Sequence, residues 1–168
     1  NYRLNFMITD KHHERRSICV AELEDNPDGT IKELPWWDDG VAVEPVGTLN
    51  PYKRTEAETM AWSQGLKTAK DDESGMYVTS IHNRDFLQVK AVDFGKGAKT
   101  FEVRAATITK GKIEIRLDDL NGTLLGVCDI SNTGGWNTWK TFVTDVEKVG
   151  GVHDLYLVFR GGDGAVSY

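Results

Sequence analysis

Cysteine is scarce: Cys19 and Cys128 are the only two in 168 residues, which excludes a disulfide-stapled scaffold and a four-thiolate zinc site. Positive charge is in deficit. Twenty Lys and Arg face 26 Asp and Glu, for a formal net charge of −6 and a pI near 5.2. No basic stripe stands out, so neither nucleic acid nor an anionic membrane surface is an expected partner. Apolar runs such as Ile18 to Ala21 and Val41 to Val43 are only a few residues long, against the roughly 20 that a membrane span needs. The four histidines, His12, His13, His82 and His153, have no ligand spacing to a cysteine. No Gly-x-Ser-x-Gly elbow, Walker loop or dinucleotide fingerprint occurs, which leaves nucleophilic and nucleotide chemistry without support. No basic-then-apolar leader follows Asn1. Proline is limited to four, whereas there are 17 glycines, five Trp, five Tyr and six Phe. Many turns and many flat rings suggest a β protein that can present some rings as a surface.

From Thr100 onward apolar residues recur with period two, the strand signature. Phe101, Val103 and Ala105 alternate with Glu102 and Arg104; Ile113, Ile115 and Leu117 with Glu114 and Arg116; Leu155, Leu157 and Phe159 with Tyr156 and Val158. Lys110-Gly111, Asn121-Gly122, the Asn132 to Gly135 cluster and Gly150-Gly151 punctuate these runs at spacings common in sandwiches and jelly rolls. Phe86 to Val92 makes an earlier strand, and only the short, ambiguous Glu56 to Trp62 hints at a helix. The expected class is all-β.

The first 50 residues differ. Ser17 to Leu23 and Thr30 to Leu34 read as two strands of a hairpin joined through Glu24-Asp-Asn-Pro-Asp-Gly29, whose Asp-Gly supplies the positive φ of a tight turn. Pro35 to Gly40 and Glu44-Pro45 then interrupt regular structure, and a linker runs to about Asn50-Pro51. The expected division is therefore residues 1–50, a hairpin fragment plus linker, and 51–168, a β domain. One hairpin buries too little to stand alone, so the fragment should pack on the β domain or belong to a larger structure.

Several motifs bear on chemistry. Glu24-x-Asn26-x-Asp28-Gly29 fails as an EF-hand, because the loop's first position holds Glu24 and its twelfth Pro35. Asn121-Gly-Thr123 fits a glycosylation acceptor but reads better as a hairpin turn. In an extended segment Glu56 and Glu58 would point to one face, and two close carboxylates repel unless a cation lies between them. Such a hard oxygen site would suit Ca²⁺. The same pair could be solvated surface groups, or the acid and nucleophile of a glycosidase, whose carboxyls stand about 5 to 9 Å apart. Trp136 follows two glycines in Asn132-Thr-Gly-Gly-Trp-Asn-Thr-Trp139 and is a candidate platform for a pyranose ring, with Asn132, Asn137 and the glycine N–H groups near for hydroxyls. Trp139 continues through Thr141 and Val143 as a strand face and is expected in the core. Tyr77 is a second candidate ring.

Pro51-Tyr-Lys-Arg-Thr-Glu-Ala-Glu-Thr-Met-Ala-Trp62 resembles the opening of a carbohydrate-binding module of family 6. Met76 to Asp85 with Phe86, then Val92-Asp-Phe-Gly95, then Thr133-Gly-Gly-Trp136-Asn-Thr-Trp139 follow in that family's order. Asn1-Tyr-Arg and Arg16 to Ile31 resemble the end of a glycoside hydrolase family 43 catalytic domain, whose arabinofuranosidases and xylosidases often carry a family 6 module behind a linker like Val46 to Asn50. The resemblance implies a β-sandwich jelly roll, a structural calcium held by Glu56 and Glu58, and a loop-end sugar site with Trp136 as stacking ring. The family's second ring stands where this chain has Ser80, a place Tyr77 could fill. The pattern closes with a strand carrying an Asn for ligand and an Asp for calcium, after a segment like Gly161 to Tyr168; that strand is missing here. Catalytic carboxylates of the hydrolase match nothing in the chain. The implied role is non-catalytic binding of xylan or a related plant cell-wall β-glycan, as an extracellular monomer holding its parent hydrolase on substrate. The competing readings are hydrolysis by Glu56 and Glu58, and a spacer whose Trp136 loop docks on the catalytic domain.

Overall fold

A computed structural model describes residues 2–8, 16–22, 24–33, 47–72 and 75–161. The chain divides into two compact units, Asn1–Val46 and Gly47–Tyr168.

In the first unit, β1 (Tyr2–Ile8) and β2 (Arg16–Glu22) pair antiparallel with Tyr2 opposite Glu22 and Ile8 opposite Arg16. This corrects the expected hairpin: the strand beginning near Ser17 takes Tyr2–Ile8 as its partner instead of Thr30 to Leu34. The turn after it is real but short. Asp25 and Ile31 form an isolated bridge, Asn26 N–H donates to the Thr30 carbonyl at 2.7 Å, and Asp28 Oδ1 accepts from both the N–H and the hydroxyl of Thr30. Those side-chain bonds favour a compact local loop over an extended ladder. Leu34 lies outside the described residues.

Among its described residues the second unit has nine strands. They are β3 (Trp62–Gln64), β4 (Lys67–Asp71), β5 (Gly75–Thr79), β6 (Phe86–Asp93), β7 (Thr100–Ala105), β8 (Gly111–Leu117), β9 (Leu124–Ile130), β10 (Lys140–Asp145) and β11 (Val152–Gly161). Five form one antiparallel sheet in the order β3-β6-β11-β8-β9, while β4 pairs with β5 and β7 with β10. No helix occurs among the described residues. The period-two pattern explains the core. Ile113, Ile115 and Leu117 of β8 are buried with Leu125, Cys128 and Ile130 of β9, Leu87 and Val92 of β6, and Phe159 of β11. Phe101, Val103, Ala105 and Phe142 of the β7–β10 pair, with Val78 of β5, pack against them. A two-layer β-sandwich is the result.

Two details differ from the sequence reading. In β10 the inward residue is Phe142, opposite Val103, while Val143 is 60% exposed, so Trp139, Thr141 and Val143 do not line the core. Residues directly opposite in an antiparallel pair share a face, and the apolar Phe101-Val103-Ala105 face of β7 therefore decides which β10 residues point in. Residues 47–50, read as linker, are tied to β6: Leu49 N–H donates to the Ala91 carbonyl and Asp93 N–H to the Leu49 carbonyl, both at 2.9 Å. The Asn121-Gly122 turn is confirmed. A Cβ on Gly122 would lie 1.9 Å from the Leu117 carbonyl oxygen, so only glycine fits there.

Away from the core, Glu114 sits between two guanidiniums, accepting from Arg116 Nε at 2.9 Å and Arg160 Nε at 3.0 Å. Burial alone would raise its pKa, but the two arginines outweigh burial and hold the carboxyl below its usual range. Phe86 and Tyr156 lie beside this group with centroids 6.2 Å apart. Cys128 is 1% exposed, and burial, then the Asp129 charge, pushes its thiol pKa up; it behaves as a core residue.

Candidate functional site

Strand register sends three loops to the same end of the sandwich. Residues 80–85 lead into β6, 106–110 into β8, and 131–139 leave β9, while Gly161 of β11 lies opposite Gly111. The 80–85 loop is anchored by Asp85, whose Oδ2 accepts from His82 N–H at 2.7 Å. Arg84 N–H donates to the Phe159 carbonyl and Phe159 N–H to the Asp85 carbonyl, and Asn83 Oδ1 accepts from Gly161 N–H at 3.3 Å. Asp85 in turn occupies the space over Gly65, which has φ +82; a Cβ there would fall 1.9 Å from Asp85 Oδ1. Within the Met76 to Asp85 segment, Ile81, Asn83 and Asp85 thus become core anchor, strand-end acceptor and turn cap.

The other two loops are clamped by buried hydroxyls. Thr107 is 0% and Thr133 3% exposed. Thr107 N–H donates to Thr133 Oγ1 at 2.9 Å, and the Thr133 hydroxyl donates to the Thr107 carbonyl at 2.8 Å. Asn132 Nδ2 donates to the Ile108 carbonyl at 2.6 Å, and Asn132 Oδ1 accepts from Gly134 N–H at 2.7 Å. Burying hydroxyls is costly unless every bond is made, and here the bonds freeze the approach to Trp136. That indole stands 47% exposed at the turn. Neighbouring Asn137 is exposed and makes no hydrogen bond among the described residues, so its amide is open to a ligand. Asn132, grouped with Asn137 in the sequence, has its amide engaged inside the loop. Ile108, 45% exposed on the adjoining loop, and the two threonines are the residues sequence reasoning missed. No local pattern marks either threonine, since each gains its role only from the other, 26 residues away.

Tyr77 is half-buried, its ring edge-on to Trp139 at 5.5 Å. Arg104 lies over the same indole, its guanidinium carbon 5.4 Å from the Trp139 centroid. Trp139, expected in the core, is therefore a half-buried ring flanked by a phenol and a cation.

Glu56 and Glu58 are not on an extended segment. The Glu56 carbonyl accepts from Thr59 N–H at 3.0 Å, closing a turn, so strand alternation does not bring the carboxylates together. The exposed Glu56 carboxylate is gripped by Arg54, with Nε to Oε1 at 2.9 Å and Nη2 to Oε2 at 3.2 Å. Glu58 Oε2 is buried without a hydrogen-bond partner among the described residues. An orphaned buried carboxylate oxygen fits a hard cation such as Ca²⁺. No cluster of three or more His, Cys, Asp or Glu side chains suited to a metal occurs among the described residues, so carbonyls would have to complete the shell.

Comparison with known proteins fits this geometry. The family model for carbohydrate binding module (family 6) matches residues 56–168. The arabinoxylan arabinofuranohydrolase of Paenibacillus polymyxa is 41% identical over 152 residues, covering 87% of this chain and 24% of that protein. The chain thus spans about a quarter of this curated relative. The solved glycoside hydrolase family 43 arabinoxylan arabinofuranohydrolase from Bacillus subtilis, in complex with cellotetraose, superposes with a TM-score of 0.70 at 40% identity, over 90% of this chain and 32% of that one. A family 6 module from Clostridium cellulolyticum in complex with xylose gives a TM-score of 0.67 at 39% identity, over 71% of this chain and 93% of that one. With its sandwich, its ordered motifs and its exposed loop-end indole, the chain belongs to carbohydrate-binding module family 6.

Proposed function

We propose that this module binds xylan, including arabinose-substituted xylan, and so keeps an attached family 43 hydrolase on its polysaccharide. The carrying observation is Trp136: an exposed indole on a loop immobilised by the Thr107–Thr133 clamp. A pyranose ring has an apolar face that stacks on an indole and equatorial hydroxyls that seek donors and acceptors at its rim. Asn137 supplies the rim amide. Tyr77 contributes through Trp139, steadying the base of the loop instead of offering a free face. Xylose bound to one relative and the arabinoxylan specificity named in another support this ligand class.

A loop tied by these hydrogen bonds loses little backbone entropy on binding, but one open face and few polar contacts support only modest affinity, about micromolar to millimolar, or roughly −4 to −8 kcal/mol. Glu56 and Glu58 would hold Ca²⁺ as a structural ion, in a role of neutralising the buried Glu58 oxygen and fixing the 56–59 turn, with Arg54 giving up Glu56. The module acts as an extracellular monomer. Calorimetric titration of xylohexaose into the chain and its Trp136→Ala variant tests the reading. Binding by the parent and its loss in the variant are expected; unchanged binding by the variant would remove Trp136 from the site.

A further inference from the structure

The opposite end of the second unit carries a depression of about 340 Å³ lined by Thr48, Asn50, Tyr52, Asp93 and Gly95. Its chemistry is that of a small polar ligand with one apolar face. Tyr52 is 62% exposed, yet its hydroxyl donates to the Phe94 carbonyl at 2.7 Å, so the phenol ring is both open to solvent and fixed in orientation. Asn50 Oδ1 caps Tyr52 N–H at 2.9 Å, leaving the amide nitrogen with two unused donors. Asp93 Oδ1 accepts from Gly95 N–H at 2.8 Å; its second oxygen and the Thr48 hydroxyl make no hydrogen bond among the described residues. A Cβ on Gly95 would meet nothing within 4 Å, so the space above it is open. A tethered ring, a free carboxylate oxygen, an amide donor and a hydroxyl thus border one hollow.

We propose that this hollow is a second saccharide subsite, in which one sugar ring lies on Tyr52 and its hydroxyls donate to Asp93 and accept from Asn50. The inference rests on the reading that the chain binds polysaccharide, and it adds a site distinct from Trp136. The eight residues of β6 separate the two ends, roughly 25 Å at strand rise, so one module can touch two separate stretches of polysaccharide and gain avidity on a solid substrate. An open hollow with one ring and no deep enclosure sets its affinity in the millimolar range.

The test is a titration of xylohexaose into the ¹⁵N-labelled chain, its Trp136→Ala variant, and each of these with Tyr52→Ala, following backbone amides. Saturable shifts at Thr48, Tyr52 and Gly95 that persist in Trp136→Ala and vanish with Tyr52→Ala are expected. Tyr52→Phe, which keeps the ring face and loses only the tether, should weaken these shifts by about three- to tenfold. Silence at these amides while the Trp136 loop responds in the parent overturns the second site and leaves the first intact. Silence at both ends overturns both readings. Shifts that survive Tyr52→Ala in a folded protein also overturn the assignment.

Discussion

The two ends of the sandwich are built differently. At the Trp136 end, loops are held by buried side-chain hydroxyls: Thr107 and Thr133 are two of the three buried polar residues among those described, Gln88 being the third. At the Tyr52 end, the caps are exposed or half-exposed, as with Asn50 on Tyr52 and Asp93 on Gly95. Buried hydrogen bonds in a dry setting resist displacement, whereas exposed caps trade readily with water. One end is therefore a fixed platform, and the other an open hollow with a single tethered ring.

The largest effect that should separate the ends comes from two glycines with positive φ. Gly65→Ala places a Cβ against the Asp85 carboxylate, and should cost about 3 kcal/mol or more from strain plus loss of the 80–85 cap. Gly95→Ala, in open space, should cost only about 1 kcal/mol. Urea unfolding of both measures the difference, and equal costs would break the contrast.

Calcium comes next. At a hundredfold excess over its dissociation constant, an ion that binds only the folded state adds about 2.7 kcal/mol. Chelator should lower the melting temperature of the parent and leave Glu58→Gln, which removes the buried charge, unmoved. Chelator-insensitive melting of the parent would reject the Glu56/Glu58 assignment.

Thr133→Val leaves the buried Thr107 N–H without its side-chain acceptor and should cost about 1–3 kcal/mol, together with weaker sugar binding through a loosened Trp136 loop. Thr48→Val at the other end should change stability by less than about 0.5 kcal/mol. A further modest effect lies between the ends. Because the arginines hold Glu114 below its ordinary pKa of 4.5, its ion pairs stabilise the fold above that value and lose their contribution as pH falls through the lower folded pKa. Glu114→Gln should therefore flatten the acid limb of the stability profile, by about 1 kcal/mol at most.

Much of the fold was legible because β structure writes its burial into a period of two. Ile113-x-Ile115-x-Leu117 and Phe101-x-Val103-x-Ala105 point inward as their alternation requires, and Asn121-Gly122 turns where it should. The β10 reading failed because Trp139-Thr141-Val143 and Lys140-Phe142-Thr144 both alternate plausibly, and only pairing with β7 chooses between them. Strand β2 carried no mark of its partner, since candidate strands lie at similar sequence distance on either side of it, Tyr2–Ile8 before and Thr30 to Leu34 after. For Glu56-x-Glu58, spacing was visible but the turn was not, so the carboxylates reach their different environments by a route no alternation predicts.

Within the candidate site, Trp136 could be singled out by its two preceding glycines, an argument about local freedom that needs no partner. Thr107 and Thr133 could not, because a threonine's role depends on what lies opposite it, and theirs lie 26 residues apart. Local chemistry along the sequence determined the strands, the turns and the exposed indole. Tertiary structure alone decided which hydroxyls are buried, that Tyr77 rests against Trp139, and that Tyr52 is tethered over open space. Each of these is a meeting of side chains distant in sequence, and the free energy of such a meeting exists only once the fold has brought both partners out of water.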